Sequence, residues 1–120
     1  MARRRISPDE GDAAVRRWLG GATDRTTTAM AVRYALEELG DRVPGNSVEV
    51  RVPPYGVVQC IPGPRHTRGT PPNVVEVPAQ TWLALATGRA EWSAEAAAGR
   101  ISASGLRADL STHLPLFPLL

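Results

Sequence analysis

The chain has 120 residues, of which 42% are apolar and 22% charged, and its formal net charge is +2. This length and composition are typical of a single globular domain, which we expect to span residues 1–120. The charge is too small for a nucleic-acid-binding surface, which needs several clustered cations on one face. Residues 1–6 contain one arginine cluster and are expected to form a flexible basic tail, with contact to an anionic partner as the alternative.

Cys60 is the single cysteine, so no intramolecular disulfide can form, as expected in a reducing cytoplasm. No apolar run approaches the roughly 20 residues that span a bilayer. The amino-terminal arginines are not followed by the apolar stretch of a signal peptide. We therefore predict a cytoplasmic protein without stable membrane insertion.

Two helices are predicted at the start of the chain. Ser7 can cap the first, with Pro8 in its first turn and Glu10 completing a capping box, and Gly20-Gly21 ends it. The second begins after Asp24 or the threonine run 26–28. Its apolar residues share one face, and Gly40 is expected to stop it.

Strands and short helices are predicted in the rest of the chain. Residues 48–52 alternate apolar and polar side chains, and a Pro-Pro-Tyr-Gly turn leads to a return strand, 57–61, which gives a β-hairpin. A third strand, 74–77, precedes a helix from Pro78 to Gly88. A short helix capped by Ser93, a fourth strand at 101–104 and a final helical turn follow.

This order predicts an α+β fold, a small antiparallel sheet of four to five strands with helices packed on one face. Residues 115–120 form an apolar carboxy-terminal tail, which two prolines prevent from continuing as one helix.

Glycines punctuate the segment 81–110 at regular points. Thr87-Gly88-Arg89 closes one helix, the alanine-rich residues 94–98 precede Gly99, and a strand follows before Gly105. This pattern resembles the carboxy-terminal half of the sterol carrier protein family, above all its bacterial, actinobacterial-type orthologues. Segments 50–56 and 63–73 are similar to the same group, so the resemblance covers about residues 45–115. The carboxy-terminal domain of mycothiol-dependent isomerases is a related example.

The resemblance implies helices and a sheet that enclose an apolar tunnel, and binding of a lipid, fatty acyl chain or acyl-CoA. Small side chains leave room for such a ligand, and large ones shape the space. The small residues are Ala94, Ala96, Ala97 and Ala98, and the large ones are Trp82 and Trp92. The same residues are also compatible with a closed core. The expected pocket residues are Val50, Val58, Trp82, Leu85, Trp92, Ala97, Leu114 and Phe117.

One polar stretch, residues 65–70, lies between prolines and could hold an anionic head group through Arg65, His66 and Arg68. The alternative is a solvated loop whose arginines pair with nearby carboxylates. A lone loop histidine is a weak indication of a general base. The chain has too few His and Cys residues for a usual zinc site, and it lacks a phosphate loop and a nucleophile elbow.

We therefore predict a non-catalytic protein with no cofactor and no metal, which binds or transfers an apolar ligand in a pocket between helices and sheet. The alternative is an interaction or accessory module with a closed core, which docks on a second copy or a protein partner through its apolar tail. The sequence does not identify the ligand.

Overall fold

The computed structural model describes residues 6–63 and 73–120. The helices and strands follow the predicted order, and a 3-10 turn, Ser111–His113, forms the last helical element. The bounds are α1 (Pro8–Leu19), α2 (Arg25–Arg42), β1 (Val48–Val52), β2 (Gly56–Cys60), β3 (Asn73–Glu76), α3 (Ala79–Ala86), α4 (Trp92–Ala97) and β4 (Ser102–Ser104).

The first helix begins at its predicted cap, and the second begins after Asp24, one of the two starts that the sequence allowed. The Ser7 hydroxyl accepts the Glu10 backbone N–H at 3.2 Å, and the Asp24 carboxylate accepts the Thr27 N–H at 3.0 Å. Each cap satisfies one of the backbone donors that the first turn of a helix leaves unpaired.

Two predicted helix boundaries are wrong. Helix α2 does not stop at Gly40 but continues to Arg42, with Gly40 buried inside it. A Cβ on Gly40 would lie 2.9 Å from Val58 Cγ2, so this glycine lets α2 approach β2 rather than ending the helix. Helix α4 is not capped by Ser93; it begins at Trp92, after Glu91, whose side chain makes no capping hydrogen bond.

The sheet is mixed, whereas we predicted an antiparallel one. The strand order is β2-β1-β3-β4; β1 pairs antiparallel with β2, β3 pairs antiparallel with β4, and β1 pairs parallel with β3. The register gives the reason. Cys60, the last residue of β2, pairs with Val48 on one side of β1, and Asn73, the first residue of β3, pairs with Val48 on the other side. Strand β3 therefore begins at the end of the sheet where β2 finishes, and it runs in the direction of β1.

One face of the sheet carries the core, as predicted for an α+β layer. Val48, Val50, Val52 and Val75 are fully buried, and α2 packs against this face. The opposite face carries polar side chains such as exposed Arg51 and Glu76 together with exposed Val57. Strand β4 lies at the edge with all of its residues exposed, so the helices do not extend over it.

Both ends of the described chain are fastened to the body of the domain. The backbone N–H groups of Leu116 and Phe117 donate to the Ala86 carbonyl at 2.8 and 2.9 Å. Ile6, which we had placed in a flexible tail, is half-buried, and its N–H donates to the Glu37 carboxylate at 3.1 Å. Residues 1–5 lie outside the described residues.

Candidate functional site

A pocket of about 650 Å³ lies between α2 and β2, and we call it the α2–β2 pocket. Its volume falls in the range of pockets that hold small ligands, roughly 300–1,000 Å³. The pocket borders the core face of the sheet at its β2 edge. Its apolar side chains are Ile6, Ala29, Met30, Leu36, Val57 and Val58.

The pocket forms because α2 is much longer than the strand beside it. Leu36 lies next to Gly56, where an added Cβ would come within 3.0 Å of Leu36 Cδ1, and Gly40 lies next to Val58. From Leu36 to Gly40 the helix advances about 6 Å, and from Gly56 to Val58 the strand advances by about the same distance. Both steps lead from the first contact to the second, so α2 and β2 run in the same direction. The amino-terminal half of α2 therefore extends beyond the start of β2, and its side chains border open space.

Charged groups lie around this apolar lining. Arg33 donates through Nε to the Tyr55 carbonyl at 2.8 Å, which holds its stem against the hairpin turn. Arg25 also lines the pocket. Its guanidinium group makes no hydrogen bond or ion pair within the part of the chain that the structure describes. Glu37 accepts the Ile6 N–H. The pocket thus combines an apolar interior with guanidinium groups.

A second pocket, of about 570 Å³, lies between α4, the end of α3 and the segment around the 3-10 turn, and we call it the α4 pocket. Leu85, Trp92, Leu114 and Pro115 contribute its apolar surface. Its remaining lining is more polar than that of the α2–β2 pocket and includes Glu91, Ser93, Asp109 and Ser111.

Asp109 is held in place by a local hydrogen bond. Its Oδ1 accepts the Ser111 backbone N–H at 2.8 Å. Hydrogen bonds from Ser111, with a smaller contribution from the charge of His113, lower the pKa of Asp109 below its ordinary range. The carboxylate is therefore ionised at neutral pH.

The structure divides the eight expected pocket residues among several places. Leu85, Trp92 and Leu114 line the α4 pocket, and Val58 lines the α2–β2 pocket. Val50, Trp82 and Phe117 are buried in the core. Ala97 is exposed to solvent and lines neither of these pockets.

The expected role of the small residues 94–98 does not match the structure. Helix α4 has no buried residue, and Ala94, Ala96, Ala97 and Ala98 are all exposed. The residues of this segment that turn inward are instead Trp92 and Glu95, and Glu95 forms a bidentate ion pair with Arg100. A helix of six residues presents one narrow face to the body, and the alanines lie on the other faces.

Trp82 belongs to the core rather than to either pocket. Its side chain is fully buried, and its indole N–H donates to the Val32 carbonyl at 3.3 Å. This hydrogen bond satisfies the polar atom that a buried tryptophan carries with it. Trp82 therefore joins α3 to α2 as a packing residue.

The anion-binding residues expected from the sequence, Arg65, His66 and Arg68, lie outside the described residues. Cys60 is buried, and burial raises the pKa of its thiol to about 11, as expected for an unreactive apolar filler. Within residues 6–63 and 73–120, no group of three or more His, Cys, Asp or Glu side chains is arranged to hold a metal ion.

Sequence reasoning missed the part of α2 that lines the pocket. It placed Ala29 and Leu36 in the apolar stripe of α2 but gave no role to Met30 and Arg33, which also line the pocket. A usable signal was present, because Met30 lies off the core stripe and so places an apolar side chain on a second face of the helix. An apolar residue on a second face indicates another contact or a ligand surface.

Comparisons with known proteins agree with the resemblance seen in the sequence. Residues 24–116 match the model of a family described as bacterial SCP ortholog. The match runs from the cap of α2 to Leu116, and it covers the lining residues of both pockets except Ile6. No curated protein matches the chain. In the described ranges, no helix combines the length and apolarity needed to cross a bilayer.

Proposed function

The chain belongs to the bacterial SCP ortholog family, and we propose that it binds an apolar ligand of the lipid or fatty acyl type without transforming it. The α2–β2 pocket carries this proposal. It is an apolar hollow between helix and sheet, which is the kind of site that the resemblance implies. A relation to the carboxy-terminal domain of mycothiol-dependent isomerases stays a prediction from the sequence.

The chemistry of the pocket favours an amphiphile. Burying about ten methylene groups contributes roughly 8 kcal/mol before the losses from ordering the chain, at about 0.8 kcal/mol each. Met30 adds to this because its flexible thioether side chain adapts to ligands of different shape. Arg25 and Arg33 are placed to meet a carboxylate or phosphate head group at the surface.

A binding role fits the lining better than a catalytic one. Among the residues that the structure describes, Thr26 is the hydroxyl side chain of the pocket, and no histidine or cysteine lines the pocket to serve as its base. Glu37 is engaged by the Ile6 N–H. We therefore propose a carrier in which the protein supplies a dry surface and leaves the ligand unchanged.

The alternative, docking through the carboxy-terminal tail, has less support. Leu116 and Phe117 are buried against the domain itself, so they are not available to a partner. Leu119 is 97% exposed, but a single exposed leucine is a normal surface feature.

Filling the pocket tests the proposal. Ala29→Phe places a ring in the α2–β2 pocket, and we expect affinity for a polarity-sensitive fluorescent fatty acid to fall roughly tenfold or more, because about two methylenes of ligand burial are lost. Titration followed by fluorescence measures the dissociation constant. Circular dichroism and thermal unfolding verify that the variant is folded.

The matched control is Ala96→Phe, which makes the same change at an exposed position of α4 outside both pockets. It should bind the probe like the wild-type protein. A wild-type protein that does not bind the probe, or an Ala29→Phe variant that binds it equally well, contradicts the proposal.

A further inference from the structure

The α4 pocket has an unusual combination of lining groups. The half-buried indole of Trp92 lines it together with two carboxylates, Glu91 and Asp109, and among residues 6–63 and 73–120 no arginine or histidine lines the pocket. The α2–β2 pocket shows a different charge pattern, with two arginines and one glutamate, Glu37, in its lining. The two pockets are therefore suited to different ligands.

The aromatic group is available for a ligand. The other two tryptophans use their indole N–H groups inside the protein, Trp18 toward Gln80 at 2.8 Å and Trp82 toward Val32. The Trp92 indole N–H has no hydrogen-bond partner among residues 6–63 and 73–120. Trp92 packs at the edge of the core, which fixes the ring while part of it stays accessible.

The nearby cations are engaged elsewhere. The Arg89 guanidinium donates to the Thr87 carbonyl at 2.6 Å and to the Leu120 carbonyl at 3.5 Å. Arg100 is paired with Glu95 through both its Nε and Nη2 atoms. His113 is near enough to lower the pKa of Asp109, but it does not line the pocket. Among the described residues, the charged side chains that line the pocket are therefore the carboxylates of Glu91 and Asp109.

The pocket has a rigid floor. Leu85 is buried, and the ring of Pro115 lies under Gly88, 3.5 Å from where a Cβ would stand. Hydrogen bonds from Leu116 and Phe117 to Ala86 hold the neighbouring chain against α3. Because these contacts already order the pocket, the ligand does not have to order it, and the entropic cost of binding is smaller.

We infer that the α4 pocket binds a small organic cation of the alkylammonium class, with the ammonium group against the Trp92 ring and the carboxylates of Glu91 and Asp109. Cations are attracted to the face of an aromatic ring, most strongly to that of tryptophan, and carboxylates at the rim add charge attraction. The apolar floor accommodates the alkyl substituents. This site is separate from the α2–β2 pocket and does not depend on the function proposed there.

The test compares a cation with a neutral molecule of the same shape. The probes are a hydroxyethyl-trimethylammonium ion and its tert-butyl analogue, in which carbon replaces nitrogen. Binding is followed by nuclear magnetic resonance at the Trp92 indole N–H, which is assigned by its loss in Trp92→Phe. We expect saturable shifts with the cation and at least roughly fivefold weaker binding of the neutral analogue, as a cation–π contact predicts.

Charge removal completes the test. The double variant Glu91→Gln, Asp109→Asn should bind the ammonium ion roughly fivefold more weakly, while the amide oxygen introduced at position 109 can still accept the Ser111 N–H. Glu76→Gln, which removes an exposed carboxylate of β3 outside the pocket, should bind it unchanged. Equal binding of the two probes, no binding of the cation, or a double variant as tight as the wild type overturns the inference.

Discussion

At the scale of single residues, the most informative side chain is Asn73, which the sequence places only at the end of a loop. Its side chain is buried with both polar atoms hydrogen-bonded, because Nδ2 donates to the Ser47 carbonyl and Oδ1 accepts the Arg107 N–H, both at 2.8 Å. A buried amide without such partners would be strongly unfavourable. Asn73 therefore fastens the segment after β4 to the start of β1.

Cys60 leads to a prediction about alkaline pH. An ordinary cysteine has a pKa of about 8.5, and burial raises that of Cys60 to about 11. Between these values the unfolded chain has lost the thiol proton while the folded protein retains it, so stability must fall as pH rises. We expect a loss of about 2 kcal/mol in the free energy of unfolding between pH 7.5 and pH 10, measured by urea denaturation.

Cys60→Ala supplies the comparison for this measurement. The variant starts from a lower stability because it leaves a small cavity, but it should lack this part of the alkaline decrease. If the wild-type and variant curves fall in parallel from pH 7.5 to pH 10, the thiol is not responsible.

At the scale of elements, the pairing of α1 with α2 depends on a glycine in a helix interior. A Cβ at Gly11 would lie 2.2 Å from ring atoms of Tyr34. The ring cannot easily move, because its hydroxyl donates to the Asp12 carboxylate at 2.8 Å and its face stacks on the Phe117 ring, with 5.2 Å between the ring centroids. Close packing of α1 on α2 thus requires the absence of a side chain at this position.

The stability of the Gly11→Ala variant shows whether helix propensity or packing against Tyr34 dominates at this position. Helix propensity alone favours alanine by about 1 kcal/mol, but overpacking against the fixed ring costs more. We expect a net destabilisation of about 1–3 kcal/mol, measured by urea unfolding. Gly20→Ala, at the end of the same helix with nothing nearer than 3.5 Å, should change stability by less than about 0.5 kcal/mol. A more stable Gly11→Ala variant would show that α1 is free to shift.

At the scale of the whole molecule, the carboxy-terminal tail completes the core. Phe117 is 7% exposed and stacks with Tyr34 of α2, while its N–H bonds to Ala86 of α3. The tail thus joins α2 and α3, which are separated in sequence by the hairpin and β3. We had described it as a possible docking segment; its inner residues dock on its own domain.

Two tail variants measure this role. Phe117→Ala should lower the free energy of unfolding by about 3–5 kcal/mol, because it removes a buried aromatic side chain. Leu119→Ala, at a residue that is 97% exposed, should change it by less than about 0.5 kcal/mol. Chemical denaturation gives both values, and a tolerated Phe117→Ala would mean that the tail is not part of the folded core in solution.

The element order and the first two helix starts could be predicted from the sequence because the signals are local. Capping by Ser7 and Asp24 and the alternation in β1 depend on residues within a few positions of each other, and all three are confirmed. The α+β class and the family follow from the same order and its glycines.

Only the tertiary structure decided how these elements meet. The parallel pairing of β1 with β3, the burial of Trp82, the exposure of Ala97 and the location of the two pockets depend on contacts between distant segments. An apolar side chain carries the same local signal whether it fills a core or lines a pocket. The packing of whole faces separates the two outcomes, as when Gly40 and Gly56 bring α2 against β2 while one side of the amino-terminal half of the helix borders the pocket.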